Sequence, residues 1–326
     1  MRCSLCGREA VVRVPYVGRW FCRDHFLELV ESKVLRSIRR YRLIDSGDVV
    51  GVAVSGGKDS VSLAYILHRL SSVADFSLVL VHIDLGLGEY SVVSRRVVED
   101  LSRRLGIDLV ILSLRELLGT DIPSLSRRAG RPPCSVCGVV KRYLLNAVTV
   151  DLGLDSIATG HNLDDLATYL VKEFLRQNLE GIAKLYPRTD PLDGLAGKRI
   201  KPLVEVYEWE LKIYSDLLGL RYVDRKCPLY DPYTLDNVLK KKLGELEERF
   251  PGILLGLVRN YVKRVDDYPR PSIAGVRGCS VCGLIASGDK CSFCKVTMKA
   301  LGEPMGPKVR DYIRSIGRKY IHKQIL

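Results

Sequence analysis

The sequence lacks long apolar segments, since no run in its 326 residues approaches the roughly 20 that a membrane-spanning helix needs. The first six residues, Met-Arg-Cys-Ser-Leu-Cys, also lack the basic and apolar regions of a signal peptide. These two absences predict a soluble, cytoplasmic protein with no membrane partner. Asparagine and glutamine are scarce as well, with seven in the whole chain. Because both amides are thermolabile, their scarcity favours a thermophilic source.

Hydrophobic residues make up 47% of the chain, which is enough for a substantial core. Lysine and arginine outnumber aspartate and glutamate by 51 to 38, which gives a formal net charge of +13. An excess of this size favours a polyanionic partner, most simply a nucleic acid. A basic protein from a basic proteome is the alternative that charge alone leaves open.

Ten cysteines in a cytoplasmic chain indicate metal binding rather than disulfides. Seven of them, with one histidine, form two groups that have the paired spacing of tetrahedral zinc sites. The first group is Cys3, Cys6, Cys22 and His25, and the second is Cys279, Cys282, Cys291 and Cys294. Closed four-ligand sites stabilise structure and leave no open position for catalysis. We therefore predict a structural zinc module near each end, the first with a hairpin between Ala10–Val14 and Arg19–Phe21.

The apolar run Val49–Val54 predicts a buried strand, and Ser55-Gly56-Gly57-Lys58-Asp59-Ser60 predicts a tight turn into a helix. Two glycines allow the sharp turn and leave room for a ligand. Free backbone N–H groups at a helix N-terminus, beside a lysine, form a phosphate site. The spacing is not that of the P-loop, because Asp59 directly follows Lys58. It resembles the PP-loop of the ATP pyrophosphatases, which cleave ATP to AMP and pyrophosphate.

Further buried strands alternate with helices, which predicts a parallel sheet flanked by helices. These strands are Ser77–Asp84, Leu109–Ser113 and Asp155–Thr159. Ligands of such sheets lie beyond the carboxyl ends of the strands. That edge would bring the PP-loop together with His82–Asp84 and Gly160–Asp165. Asp165 could hold Mg²⁺ there, and helix capping by Asn162 and Asp164 is a compatible alternative.

Cys134, Cys137 and Cys227 remain outside the two zinc groups. Three thiols are one ligand short of a structural zinc site. They could bind three irons of a 4Fe–4S cluster, which leaves the fourth iron open to an exogenous sulfur. Alternatively, low-pKa thiolates could carry sulfur as persulfide and disulfide. Buried, inert thiols are a third possibility, which a Cys-x2-Cys pair after two prolines disfavours. The residues alone do not decide between the first two.

Two flanking segments are strongly basic: a helix predicted over Phe26–Leu43, and the C-terminal segment Met298–Leu326, which also carries Tyr312 and Tyr320. Either could contact RNA phosphates or simply face solvent. A mobile loop is expected over 178–198, and a charged helical region over 236–267. The basic residues are Lys33, Arg36, Arg39, Arg40 and Arg42 in the first segment and Lys308, Arg310, Arg314, Arg318, Lys319 and Lys323 in the last.

Along its whole length the chain resembles the tRNA 2-thiolation enzymes of the TtuA type, a group that includes the cytidine thiolase TtcA and the wobble-uridine thiolases. The resemblance rests on both zinc groups, the PP-loop, the segment His82–Tyr90, Cys134 and Cys137 with Lys141, Gly160–Asp165 and Cys227-Pro228. It implies an α/β fold of the adenine nucleotide α-hydrolase type. The implied domains are a zinc finger at 1–27, a PP-loop catalytic domain at 28–235 with a linking helix at 28–45, a helical extension at 236–274, a zinc ribbon at 275–297 and a basic tail at 298–326.

The resemblance also implies site residues and cofactors. The implied ATP contacts are Ala53, Ser55, Gly56, Gly57, Lys58, Asp59, Ser60, His82, Ile83, Gly160 and Asp165. It favours binding of a 4Fe–4S cluster with one open iron by Cys134, Cys137 and Cys227, with Lys141 and Asp165 needed for activity. The implied cofactors are ATP, Mg²⁺, the cluster and two structural Zn²⁺. The implied partners are tRNA, a ubiquitin-like carrier with a C-terminal thiocarboxylate (or free sulfide), and a second copy of the chain in a homodimer.

The expected reaction is the 2-thiolation of tRNA. The C2 oxygen of a uridine attacks the α-phosphate of ATP, pyrophosphate leaves, and sulfur then displaces AMP from C2. The T-loop uridine at position 54, giving 5-methyl-2-thiouridine, is the first expectation. Wobble uridine 34, a cytidine, and persulfide transfer without a cluster are alternatives. Amidating synthetases of the GMP or NAD type and lysidine synthetase leave the three cysteines unexplained, and a non-enzymatic zinc-ribbon RNA-binding protein leaves the intact PP-loop unexplained.

Overall fold

The computed structural model describes residues 1–269 and 275–324, with residues 318–324 described by their backbone alone. Near the N-terminus, strands β1 (Val12–Val14) and β2 (Arg19–Phe21) pair antiparallel, which confirms the predicted hairpin. Gly18 closes it with a φ of 69°, a conformation that glycine adopts without steric cost. Helix α1 (Arg23–Arg40) leads from this hairpin into the core.

Six strands form the central sheet. They are β3 (Val49–Ala53), β4 (Ser77–Asp84), β5 (Leu109–Ser113), β6 (Ser156–Ala158), β7 (Arg188–Thr189) and β8 (Lys198–Ile200). Their spatial order is β5-β4-β3-β6-β8-β7, and all neighbours are parallel except β7, which is antiparallel to β8. The predicted parallel sheet is confirmed. This order sets the carboxyl ends of β4, β3 and β6 side by side, where ligands of such sheets bind.

Helices cover both faces of the sheet. Those preceding β8 are α2 (Lys58–Ala74), α3 (Glu89–Leu105), α4 (Leu114–Leu118), α5 (Ile122–Ala129), α6 (Pro133–Asp151), α7 (Leu163–Leu175) and α8 (Leu179–Ala183); those following it are α9 (Glu208–Leu217), α10 (Leu235–Arg249) and α11 (Ile253–Lys263). Val52 and Ala158 pack on one face with α1, α2, α7, α9 and α11. Val81 and Ile157 pack on the other with α5 and α6. Each fully buried side chain of this kind contributes roughly 1.5–3 kcal/mol.

The C-terminal module packs against α6. It consists of β9 (Arg277–Gly278), β10 (Ile285–Ala286), α12 (Ser292–Leu301) and α13 (Gly306–Gln324). The rings of Tyr143 and Phe293 stack with centroids 3.9 Å apart. Arg310 on α13 forms a 2.5 Å ion pair with Asp151 at the end of α6. The module therefore shares an apolar core with the α6 face of the sheet.

Two expectations about local structure are wrong. Helix α6 begins at Pro133 rather than at Val139, because proline is favoured in the first turn. The segment 178–198 is not a structureless loop: Asn178 caps α8 by accepting the N–H of Gly181, and β7 extends the sheet. The helical region expected over 236–267 is present, as two helices that separate at Gly252, where φ is 98°.

The two basic segments also differ from expectation. Lys33 is 2% exposed and its ammonium lies 2.6 Å from Glu210, so it belongs to the core rather than to a surface for phosphates. Arg310 and Arg314 are both paired with Asp151. Lys308 is paired with Glu303. The side chains of Arg318, Lys319, Tyr320 and Lys323 lie outside the described residues. Within the described part of the chain, no helix is long and apolar enough to cross a membrane.

Candidate active site

The PP-loop joins β3 to α2 at the carboxyl edge of the sheet. The Ser60 hydroxyl accepts the Ser55 N–H at 3.1 Å and donates to the Gly57 carbonyl at 2.9 Å, which fixes the loop. Gly56 has a φ of 87°, and a Cβ there would lie 3.1 Å from the backbone of Ser94. Both conformation and space therefore require glycine at position 56. The N–H groups of the first turn of α2 have no intrahelical acceptor, so the loop can bind an anion.

The segment after β6 packs directly on the PP-loop. A Cβ on Gly160 would lie 3.2 Å from the backbone nitrogen of Ser60. Asn162 then begins α7 with a capping box, in which its side chain accepts the Asp165 N–H at 3.0 Å and the Asp165 carboxylate accepts the Asn162 N–H at 3.3 Å. Asp164 does not take part in this cap, because its carboxylate accepts the N–H of Glu208 at 2.7 Å.

Two lysines and two carboxylates form a chain of ion pairs beside the loop. The Lys58 ammonium lies 2.5 Å from one oxygen of Glu208. The Lys240 ammonium lies 2.8 Å from the other oxygen of Glu208 and 2.7 Å from Asp165. The sequence analysis missed Glu208 and Lys240. No local signal marks them, because Glu208 lies 150 residues from Lys58 and Lys240 lies 75 residues from Asp165.

The carboxylates of this site have opposite pKa shifts. Burial raises the pKa of Asp59 to about 6, and the nearby charges of Glu208 and Asp165 act in the same direction. Burial also acts against ionisation of Glu208, but the two lysines just described lower its pKa to about 2. Oδ1 of Asp59 is buried and accepts no hydrogen bond within the described residues, although the Lys58 ammonium lies 3.4 Å away as an ion-pair partner. A buried carboxylate oxygen with spare acceptor capacity, near a second carboxylate, fits a divalent cation. Asp59 and Asp165 are the residues that would hold Mg²⁺.

His82 fastens two strands together. It is 2% exposed, and its Nδ1 lies 2.8 Å from the carbonyl oxygen of Val54. Burial lowers the pKa of His82. The side chain therefore holds the end of β4 against the end of β3. Contacts of Ala53, His82 and Ile83 with adenine stay a prediction. Nε2 of His82 is buried and has no hydrogen-bond partner within the described residues.

The three cysteines outside the zinc groups lie close to Lys141. Cys134 and Cys137 occupy the first turns of α6. The Cys134 thiol donates a hydrogen bond of 3.3 Å to the carbonyl of Leu229, which lies two residues after Cys227 in the chain. Burial raises the pKa of Cys137, the Lys141 ammonium opposes this shift, and Cys227 and Cys134 reinforce it. The three thiols and Lys141 therefore share one electrostatic environment.

The segment before Cys227 is tied to the phosphate loop. The N–H of Val223 donates to the carbonyl of Gly56 at 2.8 Å. Burial also raises the pKa of Tyr90, which follows β4, and the charge of Cys227 adds to that shift. The carboxyl edge of the sheet thus brings the thiols and the PP-loop to the same side of the molecule.

Two groups of side chains could each hold one metal ion. In the described parts of the chain, just two groups of His, Cys, Asp or Glu bring three or more ligand atoms within 4.8 Å of one another. They are the two predicted groups, Cys3, Cys6, Cys22 and His25, and Cys279, Cys282, Cys291 and Cys294. Cys134, Cys137 and Cys227 are not so compact, and therefore do not match a single zinc ion. Soft sulfur ligands set further apart fit an iron–sulfur cluster, which binds thiolates at its separate corners.

Comparison with known proteins gives two family matches. A model described as a PP-loop domain matches residues 28–246. A model described as the N-terminal LIM domain of the 2-thiouridine synthetase TtuA matches residues 2–27. The first match extends past residue 235 into α10, and the second lies within the first 27 residues.

Individual relatives cover nearly the whole chain. The tRNA-5-methyluridine(54) 2-sulfurtransferase of Pyrococcus horikoshii is 40% identical over 90% of this chain and 93% of its own. The protein of the same name from Thermus thermophilus is 37% identical over 91% of each. Among solved structures, the U34-tRNA thiolase NcsA from Methanococcus maripaludis with its 4Fe–4S cluster has a TM-score of 0.77 and 27% identity, covering 92% of this chain and 96% of that one.

Proposed function

Because the chain belongs to the TtuA-type family of PP-loop tRNA 2-thiolation enzymes, we propose that it uses ATP to replace the C2 oxygen of a tRNA uridine with sulfur. The hydrogen bond from Val223 to Gly56 carries this proposal, since it ties the segment leading to Cys227 to the phosphate loop. A site that only hydrolysed ATP would need neither the three thiols nor Lys141, whose charge acts on Cys137.

The first step activates an oxygen that is otherwise a poor leaving group. The uridine C2 oxygen attacks the α-phosphate of ATP, and the bond to the β-phosphate breaks to release pyrophosphate. The N–H groups of the PP-loop and the Lys58 ammonium stabilise the charge that develops on pyrophosphate. Asp59 and Asp165 would hold Mg²⁺, which supplies further charge stabilisation when bound. Lys141 would stabilise the adenylated uridine.

The second step exchanges oxygen for sulfur. A sulfide-level nucleophile adds to C2, and AMP leaves with the original oxygen. Cys134, Cys137 and Cys227 would hold a 4Fe–4S cluster, whose fourth iron can bind a sulfur atom. Cys137 and Cys227 are partly buried, whereas Cys134 is exposed to solvent. The sulfur donor is a ubiquitin-like carrier with a C-terminal thiocarboxylate, or free sulfide.

The T-loop uridine at position 54 is the proposed target. The relatives from Pyrococcus horikoshii and Thermus thermophilus are named for 5-methyluridine 54 and are more similar in sequence than the U34 thiolase NcsA. Residues 28–235 perform the ATP chemistry in this proposal, and the modules at 1–27 and 275–297 each bind a structural zinc. The working protein is a cytoplasmic homodimer.

Nucleoside mass spectrometry tests the function and its target together. The purified protein, loaded with iron and sulfide under anaerobic conditions, is incubated with tRNA, ATP and Mg²⁺, and T-arm and anticodon fragments are analysed separately. A 2-thiouridine in the T-arm fragment is the expected result. Thiolation confined to the anticodon fragment would shift the target to uridine 34, and no thiolation in either would reject the function.

A further inference from the structure

A cationic cavity of about 430 Å³ lies between α6, the end of β6 and the edge strands β7 and β8. Its volume falls within the range of small-molecule sites, roughly 300–1,000 Å³. Lys141, Arg142 and Arg199 line it, and no acidic side chain does so within the described residues. Positive charge without a neutralising carboxylate in a concave site favours an anionic ligand.

Arg199 is the least satisfied of these cations. It pairs with Ile157 in the register of β6 and β8, so its side chain lies on the α6 face of the sheet. Its Nε is buried, and no hydrogen bond or ion pair to its guanidinium is found in the described part of the chain. Burial lowers the pKa of Arg199, and the charge of Arg142 acts in the same direction. A guanidinium with unused donors suits a ligand that offers paired oxygens, such as a phosphate.

The other titratable groups near Arg199 do not satisfy it. The Lys201 ammonium is already bound to the carbonyls of Leu185 and Tyr186. Burial lowers the pKa of His161 to about 4, with Lys201 and Arg199 reinforcing the shift and Asp165 opposing it. His161 is therefore neutral at physiological pH and faces Thr159, 2.9 Å from its hydroxyl. Neither group supplies the negative charge that the cavity lacks.

The position of the cavity connects it to the reaction. Lys141 lies one turn beyond Cys137 on α6, at the side of the cavity nearest the thiols. Thr159 and His161 also line the cavity and flank Gly160, which packs on Ser60 of the PP-loop. A ligand in this cavity would lie between the sulfur side and the ATP side of the site.

We infer, resting on the function proposed above, that Arg142 and Arg199 bind a backbone phosphodiester of the tRNA beside the uridine that reacts. The phosphate positions the nucleotide, while Lys141 stays free to act on the base. The same two guanidinium groups could instead bind a phosphate derived from ATP, and the measurements below distinguish these two sources. Each phosphate contact to a single strand contributes about 0.7 to the salt slope of binding.

The test compares steady-state thiolation of tRNA by the cluster-loaded wild type, Arg199→Gln and Arg142→Gln. Arg103→Gln, which removes an exposed charge on α3, serves as the control. The KM for tRNA should rise about ten- to hundredfold in both cavity variants, as expected for loss of a charge-assisted hydrogen bond, with the KM for ATP unchanged. The slope of log Kd for tRNA against log salt should fall by about 0.7.

Two outcomes would overturn the inference. A rise in the KM for ATP or weaker inhibition by pyrophosphate, with tRNA binding intact, would assign the cavity to phosphates of the nucleotide. Unchanged values for both substrates would leave the cavity without a role. Arg142 is exposed, so Arg142→Gln tests the idea even where Arg199→Gln fails to fold. A wild type that does not thiolate tRNA rejects the proposed function instead, and direct tRNA binding by the variants then still tests the cavity.

Discussion

Lys240 on α10 donates a hydrogen bond to Asp165 at the start of α7, with 2.7 Å between nitrogen and oxygen. Through this contact α10, which follows the last strand of the central sheet in the chain, contributes a side chain to the ATP site. The same ammonium lies 2.8 Å from Glu208, which in turn holds Lys58 of the PP-loop. Lys240 therefore neutralises two carboxylates that would otherwise repel a triphosphate.

Lys240→Met should weaken ATP binding by about tenfold and lower the free energy of unfolding by roughly 1–3 kcal/mol, because two partly buried carboxylates lose a charged donor. Isothermal titration calorimetry at fixed Mg²⁺ and urea unfolding measure the two effects. Lys240→Arg should largely retain both properties. Lys242→Met, at an exposed site on the same helix, is the control. Wild-type affinity in Lys240→Met would show that the ion-pair chain plays no part in nucleotide binding.

Asp59→Asn should stabilise the fold at neutral pH while impairing the ATP site. The pKa of Asp59 is raised from 3.8 to about 6 in the folded protein, so this residue favours folding below pH 3.8 and loses that contribution as pH rises through 6. The variant's advantage in unfolding free energy should grow from about 0.5 kcal/mol at about pH 4 to about 3 kcal/mol at about pH 8, because each pKa unit corresponds to about 1.4 kcal/mol. Urea unfolding across this pH range measures the difference in unfolding free energy, with Asp100→Asn at an exposed side chain on α3 as the control. An advantage that does not change with pH would contradict the assigned burial of Asp59.

Cys227→Ala should prevent cluster assembly and abolish thiolation without affecting ATP affinity. Only two thiols would remain for the three irons assigned to protein ligands, while the PP-loop keeps all its contacts. Iron and acid-labile sulfide content, thiolation and ATP titration are measured on the same preparation. Normal thiolation by this variant would rule out the cluster role of Cys227. Loss of thiolation with full iron content would favour sulfur transfer by persulfide instead.

Cys294→Ser should leave about one zinc per chain and loosen the C-terminal module from α6. Cys294 is fully buried and belongs to one of the two compact ligand groups, and the adjacent Phe293 stacks on Tyr143. Structural zinc sites of this type contribute directly to folding. Zinc content and limited proteolysis after α6 measure the two effects, with Ser280→Ala in the same module as the control. A variant that retains two zinc ions would mean that Cys294 is not a ligand.

The sequence predicted the parallel sheet well because its signals are local. The bounds of β4 and β5 match the predicted runs at Ser77–Asp84 and Leu109–Ser113, and the PP-loop lies where its glycines require it. The metal groups were likewise predictable, since two Cys-x2-Cys or Cys-x2-His pairs at this spacing are typical of metal sites.

The missed features depend on contacts between distant parts of the chain. Lys33 belongs to the basic segment in sequence, but its side chain is buried in the core, where it forms an ion pair with Glu210 on α9. The sequence around Lys240 and around Arg199 does not distinguish them from other charged residues. Only the packed structure shows that Lys240 contacts Asp165 in the ATP site and that Arg199 lines a cavity. No periodicity or spacing could have selected them.

The fate of the uridine oxygen tests the central claim most directly. A T-arm RNA carrying ¹⁸O at C2 of uridine 54 is thiolated with unlabelled ATP and sulfide, and AMP is analysed by mass spectrometry. The account predicts one ¹⁸O atom in AMP for each 2-thiouridine formed, because the C2 oxygen attacks the α-phosphate and leaves with it. Appearance of the ¹⁸O in water or in pyrophosphate, with unlabelled AMP, would contradict activation of the uridine by adenylation.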